Sequence, residues 1–583
     1  MNITQEDIRL ILQKSIDSHL KIEVLKDDGT ILGIIYGTVS GNMSIDSTSN
    51  TRRTCSFIVE PTRFEKLDPS ESSFIWYNKS IVLSIGIRNQ RTQGFHYYKL
   101  GYFIYLNTNS TYDAITNQLS VECADYTVRL DGTLGGETCE QITQFPAYEA
   151  DEETGEALKY NIIRDVVIKI LTQMCQINNY MIDDIGEYKA MPEYNPDWQK
   201  YREENSLWNA VPYDKDFSCG TDLFTILSFF RDLYPNYEMF FEPENNTFVC
   251  QMIPSCYEDD ILFDNDFFER ILIDENISVD LTTIRNICKV FGMSIENDFY
   301  TEDCKYQNNV YICNVDQYDE YYNGDIIAIK IDKTNLAAPK LNINSYGTIG
   351  IYDEDTEEPL PANILTAETA LLFKIRKQRI NKEDVIKAFY LGQWQPIGMD
   401  VLTDGSKSKE TYTTTDGTVL EKYSKEYFQT LYNCRNVQLT IVANSPFTVQ
   451  KLGERPTTKS GGEFENITSD SLALQRAHWE NWKNCRMTDS ITITTLLVPF
   501  LDVNIKVSYR PQNSETPQQY IITSISHDFT AWTTTITMYR FYPLYEQLLK
   551  EAGTHKVLAE NSHGILSKYT HEQLTTVISG EEL

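Results

Sequence analysis

The chain has 583 residues, and its 41% hydrophobic and 23% charged fractions are those of a folded globular protein. Its 84 acidic residues against 51 basic ones leave a net charge of -33. So acidic a surface excludes binding to nucleic acid through many phosphate contacts and disfavours anionic membranes. A single core does not extend over this length, and about three to five domains are expected. The 37 tyrosines, with abundant Thr, Asn and Ser, favour strands and turns over long helices.

In chain order, residues 4–19 read as a short helix. Thr4 caps it, with Asp7 three residues on, and Ile8, Ile11, Leu12 and Ile16 share a face. The period then changes to alternation in "KIEVLKDDGTILGIIYGTVSGNMSID", with a hairpin signal at Asp28–Gly29. "RRTCSFIVE", "KSIVLSIGI" and "LGYFIYL…QLSVECADYTVRLDGTLGG" continue the strands at roughly ten-residue spacing, the pattern of a small antiparallel barrel or sandwich. "YEADEETGEAL" (148–158) reads as an acidic surface linker. "NIIRDVVIKILTQMCQIN" follows as a helix with Ile163, Val167, Ile170 and Met174 on one face. Residues 181–218, with Trp198 and Trp208, have no readable pattern.

Next, Thr221 is the expected cap of a helix in which Leu223, Ile226, Leu227, Phe230 and Leu233 recur at helical spacing, and Pro235 ends it. "NYEMFF" and "NTFVCQMIP" are strands around the turn "EPENN". A helix laid on a hairpin buries two apolar faces that neither element could bury alone. The seven aromatics of residues 229–254 are expected to pack a core rather than form a ligand platform. "ISVDLTTIRNICKVFG" is another strand-like unit. Residues 294–475 are polar. "TYTTTDGTVLEKY" and "NVQLTIVANSPF" read as strands there and "TAETALLFKIRKQ" as a helix. "SLALQRAHWENWKN" (471–484) is a helix leading into the strongly alternating strands of residues 486–545, a second small β-domain.

The chemistry-bearing residues form no recognisable constellation. The seven histidines (His19, His96, His478, His527, His555, His563 and His571) include no HExxH and no pair four apart. No GxSxG, GxxxxGK[ST] or GxGxxG occurs, and Gly132, Gly135 and Gly136 read as turn glycines. The twelve cysteines include no CxxC and are expected to be reduced. "DNDFFERILIDEN" offers paired carboxylates, "YNGDI" and "IYDEDTEEP" offer clustered acids, and each reads better as an exposed acidic face. His527–Asp528 reads as a strand-end turn. No catalytic, cofactor-binding or metal-binding residue is assigned, no cofactor is expected, and the chain is read as no enzyme. No apolar run of about 18 residues occurs, so no stable membrane insertion is expected. Met1–Leu10 lacks the pattern of a secretion signal.

The order "TDLFTILSFFRDLYPNYEMFFEPENNTFVCQMIP", then "DLTTIRNICKVFG", resembles the tail hub proteins of tailed bacteriophages, relatives of the baseplate hub of contractile tails. The strands before residue 147 and after residue 486 are similar to that family's two barrels. The resemblance implies an α+β, mostly β fold: two small antiparallel tube-like β-barrel domains, a helix–hairpin α/β domain and an extra β-rich insertion. The implied boundaries are an N-terminal barrel at 1–147, the helix–hairpin domain at 148–270 and a strand returning to the barrels at 271–293. An insertion or attachment domain at 294–475, a C-terminal barrel at 476–548 and a polar tail at 549–583 complete them. The resemblance further implies a homotrimer in the virion, at the tail tip or baseplate, assembled in the host cytoplasm. Its partners would be the tail-tube or distal tail proteins, the tape measure protein, and tip, spike or fibre proteins. Genomic DNA would pass through its lumen without specific binding. Two rival readings are a tail-associated peptidoglycan hydrolase and a receptor- or glycan-binding tail module using Trp198, Trp208 and Trp394.

Overall fold

The computed structural model describes residues 4–540 except 14–15, 36–37, 62–72, 77–78, 107–110, 151–156, 188–189, 191–196, 235–236, 254–262, 264, 281, 294–296, 354–356, 366, 368, 381–382, 416, 435, 443–444, 468–469 and 486–487. The fold is mostly β with helices interspersed, in two compact units: Met1–Thr282 with Met487–Tyr545, and Thr283–Arg486. Pro235 and the polar tail from 549 lie outside the described residues.

The first unit opens with helix α1 (Gln5–Ile11), capped by the reciprocal Thr4–Asp7 pair that the sequence signals. It is shorter than expected. Ser18 and His19 already belong to strand β1 (Ser18–Leu25), where β-pairing to a buried neighbour overrides the helical spacing of Ile16. Strands β2 (Ile31–Ile35), β3 (Thr38–Asp46), β4 (Arg53–Val59), β5 (Ser80–Arg88), β6 (Phe95–Tyr105), β7 (Thr111–Asp113) and β8 (Gln118–Ala124) follow. β1 and β2 are joined at the expected turn, with Gly29 at φ 77° and the Asp28 carboxylate accepting from the Thr30 N–H.

Strands from the two ends of the chain enter one 13-stranded sheet. Its order runs Leu272–Asp280, Thr488–Leu496, Thr533–Arg540, Gln518–Asp528, β3, β4, β8, β6, β5, β1, β2. Lys506–Tyr509 pairs with Gln518–Asp528, and β7 with β8. The junction between the two sets is antiparallel, from Asn42 opposite Asp528 to Asp46 opposite Ser524. One hydrophobic core spans it, taking in Phe57, Phe103 and Val121 from one set and Ile493, Ile525 and Ile536 from the other. Alternation produces this: along β4 the side chains of Arg53, Cys55, Phe57 and Val59 point inward while Thr54 points to solvent.

The helix–hairpin unit is present as expected. Its cap is Asp222, whose carboxylate accepts from the Thr225 N–H at 2.7 Å, while Thr221 donates to the Ser218 carbonyl. The helix Leu223–Asp232 buries Leu223, Phe224, Ile226, Leu227, Phe229 and Phe230. Strands Tyr237–Phe241 and Phe248–Met252 form the hairpin. All seven aromatics of residues 229–254 are buried, as core packing requires. Tyr180–Ile182, reaching into the stretch without a readable pattern, adds a parallel third strand. The preceding helix (Ile163–Lys169) relaxes into a π-helical turn at Ile170–Met174. The flanks of the acidic linker, Tyr148–Ala150 and Ala157–Tyr160, pair as a two-stranded ladder rather than running free.

The second unit holds an eight-stranded and a four-stranded sheet. The smaller one orders Val437–Ile441, Ile397–Thr403, Ile287–Phe291 and Pro456–Lys459, and the helix Asp470–Asn484 packs across it. Gly398 permits that contact: a Cβ there would meet the Leu474 backbone N at 2.2 Å. The expected helix at 366–378 is instead strand Ala370–Ile380, paired on both sides. Its Ala, Leu, Lys and Arg content favours helix, but Leu371, Phe373 and Ile375 alternate inward, and sheet pairing satisfies the backbone on both edges. Cys304 and Cys313 are opposite each other in a hairpin, with their sulfurs in contact.

Candidate functional site

Among the described residues, those considered above are placed as follows. His527 lies on the Gln518–Asp528 strand and is wholly buried, its Nδ1 3.0 Å from the Thr534 hydroxyl. Burial lowers its imidazole to about 4, so it is neutral. Asp528 caps the strand-end turn by accepting from the N–H groups of Thr530 and Ala531. In "DNDFFERILIDEN", Glu269 is paired with Arg510, and Glu275 accepts from the Tyr509 hydroxyl and the Gln512 N–H. Gly132 and Gly135 bridge a tight turn, both at positive φ. Trp208 is buried against Arg202. Trp198 is half-buried under that same guanidinium. Trp394 is half-buried, and its indole N–H donates to Asn297. Among the described residues no group of three or more His, Cys, Asp or Glu is placed to hold a metal ion.

The first unit instead concentrates charge at one buried point. Arg52 and Arg53, entering β4, are 4% and 2% exposed. Arg52 Nη1 donates to Glu238 Oε2 at 2.6 Å, and its Nη2 reaches the Val503 carbonyl at 3.3 Å. Its guanidinium lies 3.8 Å from the Phe240 ring centroid, a cation–π contact removed from water. Arg53 donates to the Phe241 carbonyl at 2.9 Å and to the Asp502 carboxylate. The Arg53 N–H donates to Asp125 at 2.8 Å, and Asp125 also caps the short helical turn Tyr126–Arg129. Glu238 is completed by Gln251 and Asn504. Three parts of the chain meet here: the N-terminal strands through Arg52 and Arg53, the hairpin through Glu238 and Phe240, and the C-terminal segment through Asp502–Asn504.

The electrostatics follow from that packing. Burial pushes the Asp502 carboxyl up, but Arg53 and Arg52 outweigh it and hold the group below its ordinary value. Burial raises Asp125 in spite of its hydrogen bonds, and lowers the Arg53 guanidinium against the pull of Asp502. Buried ions of this kind are costly to leave unpaired, which favours one relative placement of the segments supplying them. The cluster ties these three segments to one another. Sequence reading passed over it. The signals were two adjacent arginines opening an apolar strand and one glutamate inside "YEMFF".

The second unit has its own polar centre. Asp400, 1% exposed, accepts from the Thr440 hydroxyl at 2.6 Å and from Asn481 at 2.8 Å, with His478 at 3.4 Å. On the same helix, between His478 and Asn481, Glu480 is held below its ordinary value, because Lys483, Arg476 and Lys459 outweigh its burial. These groups pin the Asp470–Asn484 helix to its sheet.

A domain of unknown function, DUF5048, matches residues 444–545. No curated protein matches the chain. Solved structures similar to this chain include tail proteins. The prophage MuSo2 43 kDa tail protein from Shewanella oneidensis is 8% identical, with TM-score 0.40, covering 90% of this chain and 99% of that one. A tail protein from Neisseria meningitidis MC58 is 9% identical, with TM-score 0.41, covering 90% and 96%. The prophage tail protein gp18 from Listeria monocytogenes EGD-e is 10% identical, with TM-score 0.37, covering 89% and 94%.

Proposed function

We propose that this chain is a structural hub at the distal end of a bacteriophage tail. Three copies form a ring that adapts a six-fold tail tube to the tip, spike or fibre proteins and encloses part of the DNA exit channel. The observation that carries this reading is the joint sheet. Two strand sets from opposite ends of the chain are joined between β3 and Gln518–Asp528, and we read them as two tube-like β-surfaces per copy. Two surfaces times three copies continue a six-fold ring, a match that closed symmetry favours.

The buried Arg52–Arg53 cluster supports the same reading. A ring that bears load must hold its two strand sets in one relation, and unpaired ions resist any other placement. The net charge of -33 suits a lumen through which a phosphate backbone passes without being retained. The chain acts as a virion component and performs no hydrolysis. The second unit, Thr283–Arg486, is the attachment module for neighbouring tail proteins in this account. Imaging of assembled tails with this chain located tests the proposal: three copies around the axis support it, and a position off the axis overturns it.

A further inference from the structure

The first unit also carries an open cleft of about 730 Å³, between the turn after β8, the end of the π-helical turn and the tip of the hairpin. Its volume is in the range of small-ligand sites. Its lining departs from the rest of the chain. Acids outnumber bases 84 to 51 overall, yet no Asp or Glu lines this cleft. Arg129 does line it, exposed at the rim, with its guanidinium set 5.0 Å from the Tyr126 ring centroid. Gln176, Asn178 and Asn246, each with a side-chain amide, also line it, together with apolar residues that include Phe241. Gln176 and Asn246 both hold left-handed backbone, at φ 55° and 52°. That conformation is costly for glutamine, and such strain collects where geometry serves a ligand. The π-helical turn Ile170–Met174 brings Gln176 to the rim, and π-turns recur at functional sites.

We propose that this cleft binds the carboxyl-terminal end of an extended, apolar peptide. The chain-end carboxylate pairs with Arg129, whose planar fork matches two oxygens at once. Each side-chain amide offers a donor and an acceptor, the complement of a peptide group. The last apolar side chains lie against the apolar lining. Tyr126 is a positioning residue: its ring already faces Arg129, which leaves no open aromatic platform for a sugar ring to stack on. The lack of lining carboxylates spares such a ligand repulsion at contact distance.

The test uses the full chain and a fluorescent hexapeptide ending in Val-Leu-Leu, with either a free or an amidated carboxyl end. Fluorescence polarisation is read at low salt. The free acid is expected to bind about tenfold more tightly than the amide, as a charge-assisted pair at a part-exposed site supplies. Arg129→Gln should lose that factor and bind both peptides alike, with an unchanged melting temperature because Arg129 is exposed. Gln176→Gly, which relieves the left-handed strain, should weaken both peptides. Absence of binding by the free acid overturns the proposal, as does equal binding of both forms by the unaltered chain. Octanoate competing as well as the free acid would overturn the peptide assignment, because it carries the carboxylate without peptide groups. None of these outcomes depends on the tail reading, whose failure would be seen in particle images instead.

Discussion

Replacing Arg53 by methionine removes the cation at the meeting point of the three segments while keeping most of its volume. The substitution leaves the Phe241 carbonyl without that donor and strips Asp502 of its principal partner. Breaking a buried ion pair from one side costs about 3–5 kcal/mol, and the orphaned carbonyl falls within that range because the two losses share one side chain. For a unit of this size, about 2 °C per kcal/mol gives a fall of roughly 6–10 °C in its melting temperature. Differential scanning calorimetry on the purified chain reads this directly. The double variant Arg53→Met/Asp502→Asn should lose less than the two single variants together, because the carboxylate is no longer charged and unpaired. A single variant that melts within 1 °C of the unaltered chain, or strictly additive losses, would show that the cluster does not hold the segments together.

His527 predicts an acid response. Its folded-state value of about 4 lies below the ordinary ~6.5, so the unfolded chain takes the proton first. The stability is full above pH ~6.5 and is lost as pH falls towards 4. The amount is about 3 kcal/mol, and His527→Leu should abolish that part of the pH profile in denaturant titrations. Asp502 contributes further down: its carboxyl is held low, so its stabilisation is present above the ordinary carboxylate range and disappears as pH falls below about 3.9. Leu227→Ala, at a position with 0% exposure, should cost ~2–5 kcal/mol; a variant with the wild-type melting temperature would mean that its helix face does not pack as described. A zymogram on host cell wall should show no clearing, and a band abolished by changing one carboxylate would establish a hydrolase instead.

Several elements were legible because local and tertiary preferences agree in them. The Thr4–Asp7 cap, the Asp28–Gly29 turn, the hairpin after Leu223–Asp232 and the Asp470–Asn484 helix each carry a local chemical signal that packing reinforces. The strand at 370–380 was misread because Leu, Lys and Arg suit a helix, and only its period of two betrayed the sheet. The joint sheet was not legible at all. Pairing Asn42 with Asp528 links residues nearly the whole chain apart, and no local pattern encodes a partner at that distance. The charge cluster was hidden for the same reason: Arg52, Glu238 and Asp502 look like ordinary surface ions until the fold brings them together. The Cys304–Cys313 pair likewise depends on a hairpin register that the polar stretch around it does not announce.

The copy number of this chain in the assembled tail tests the central claim most directly. An electron cryomicroscopy reconstruction of intact tails, computed without imposed symmetry, should show three copies around the tail axis. Each copy should set its two strand sets side by side along the channel, with few lysine or arginine side chains facing the lumen. Six copies, a position away from the axis, or a channel wall lined by basic side chains would contradict the hub.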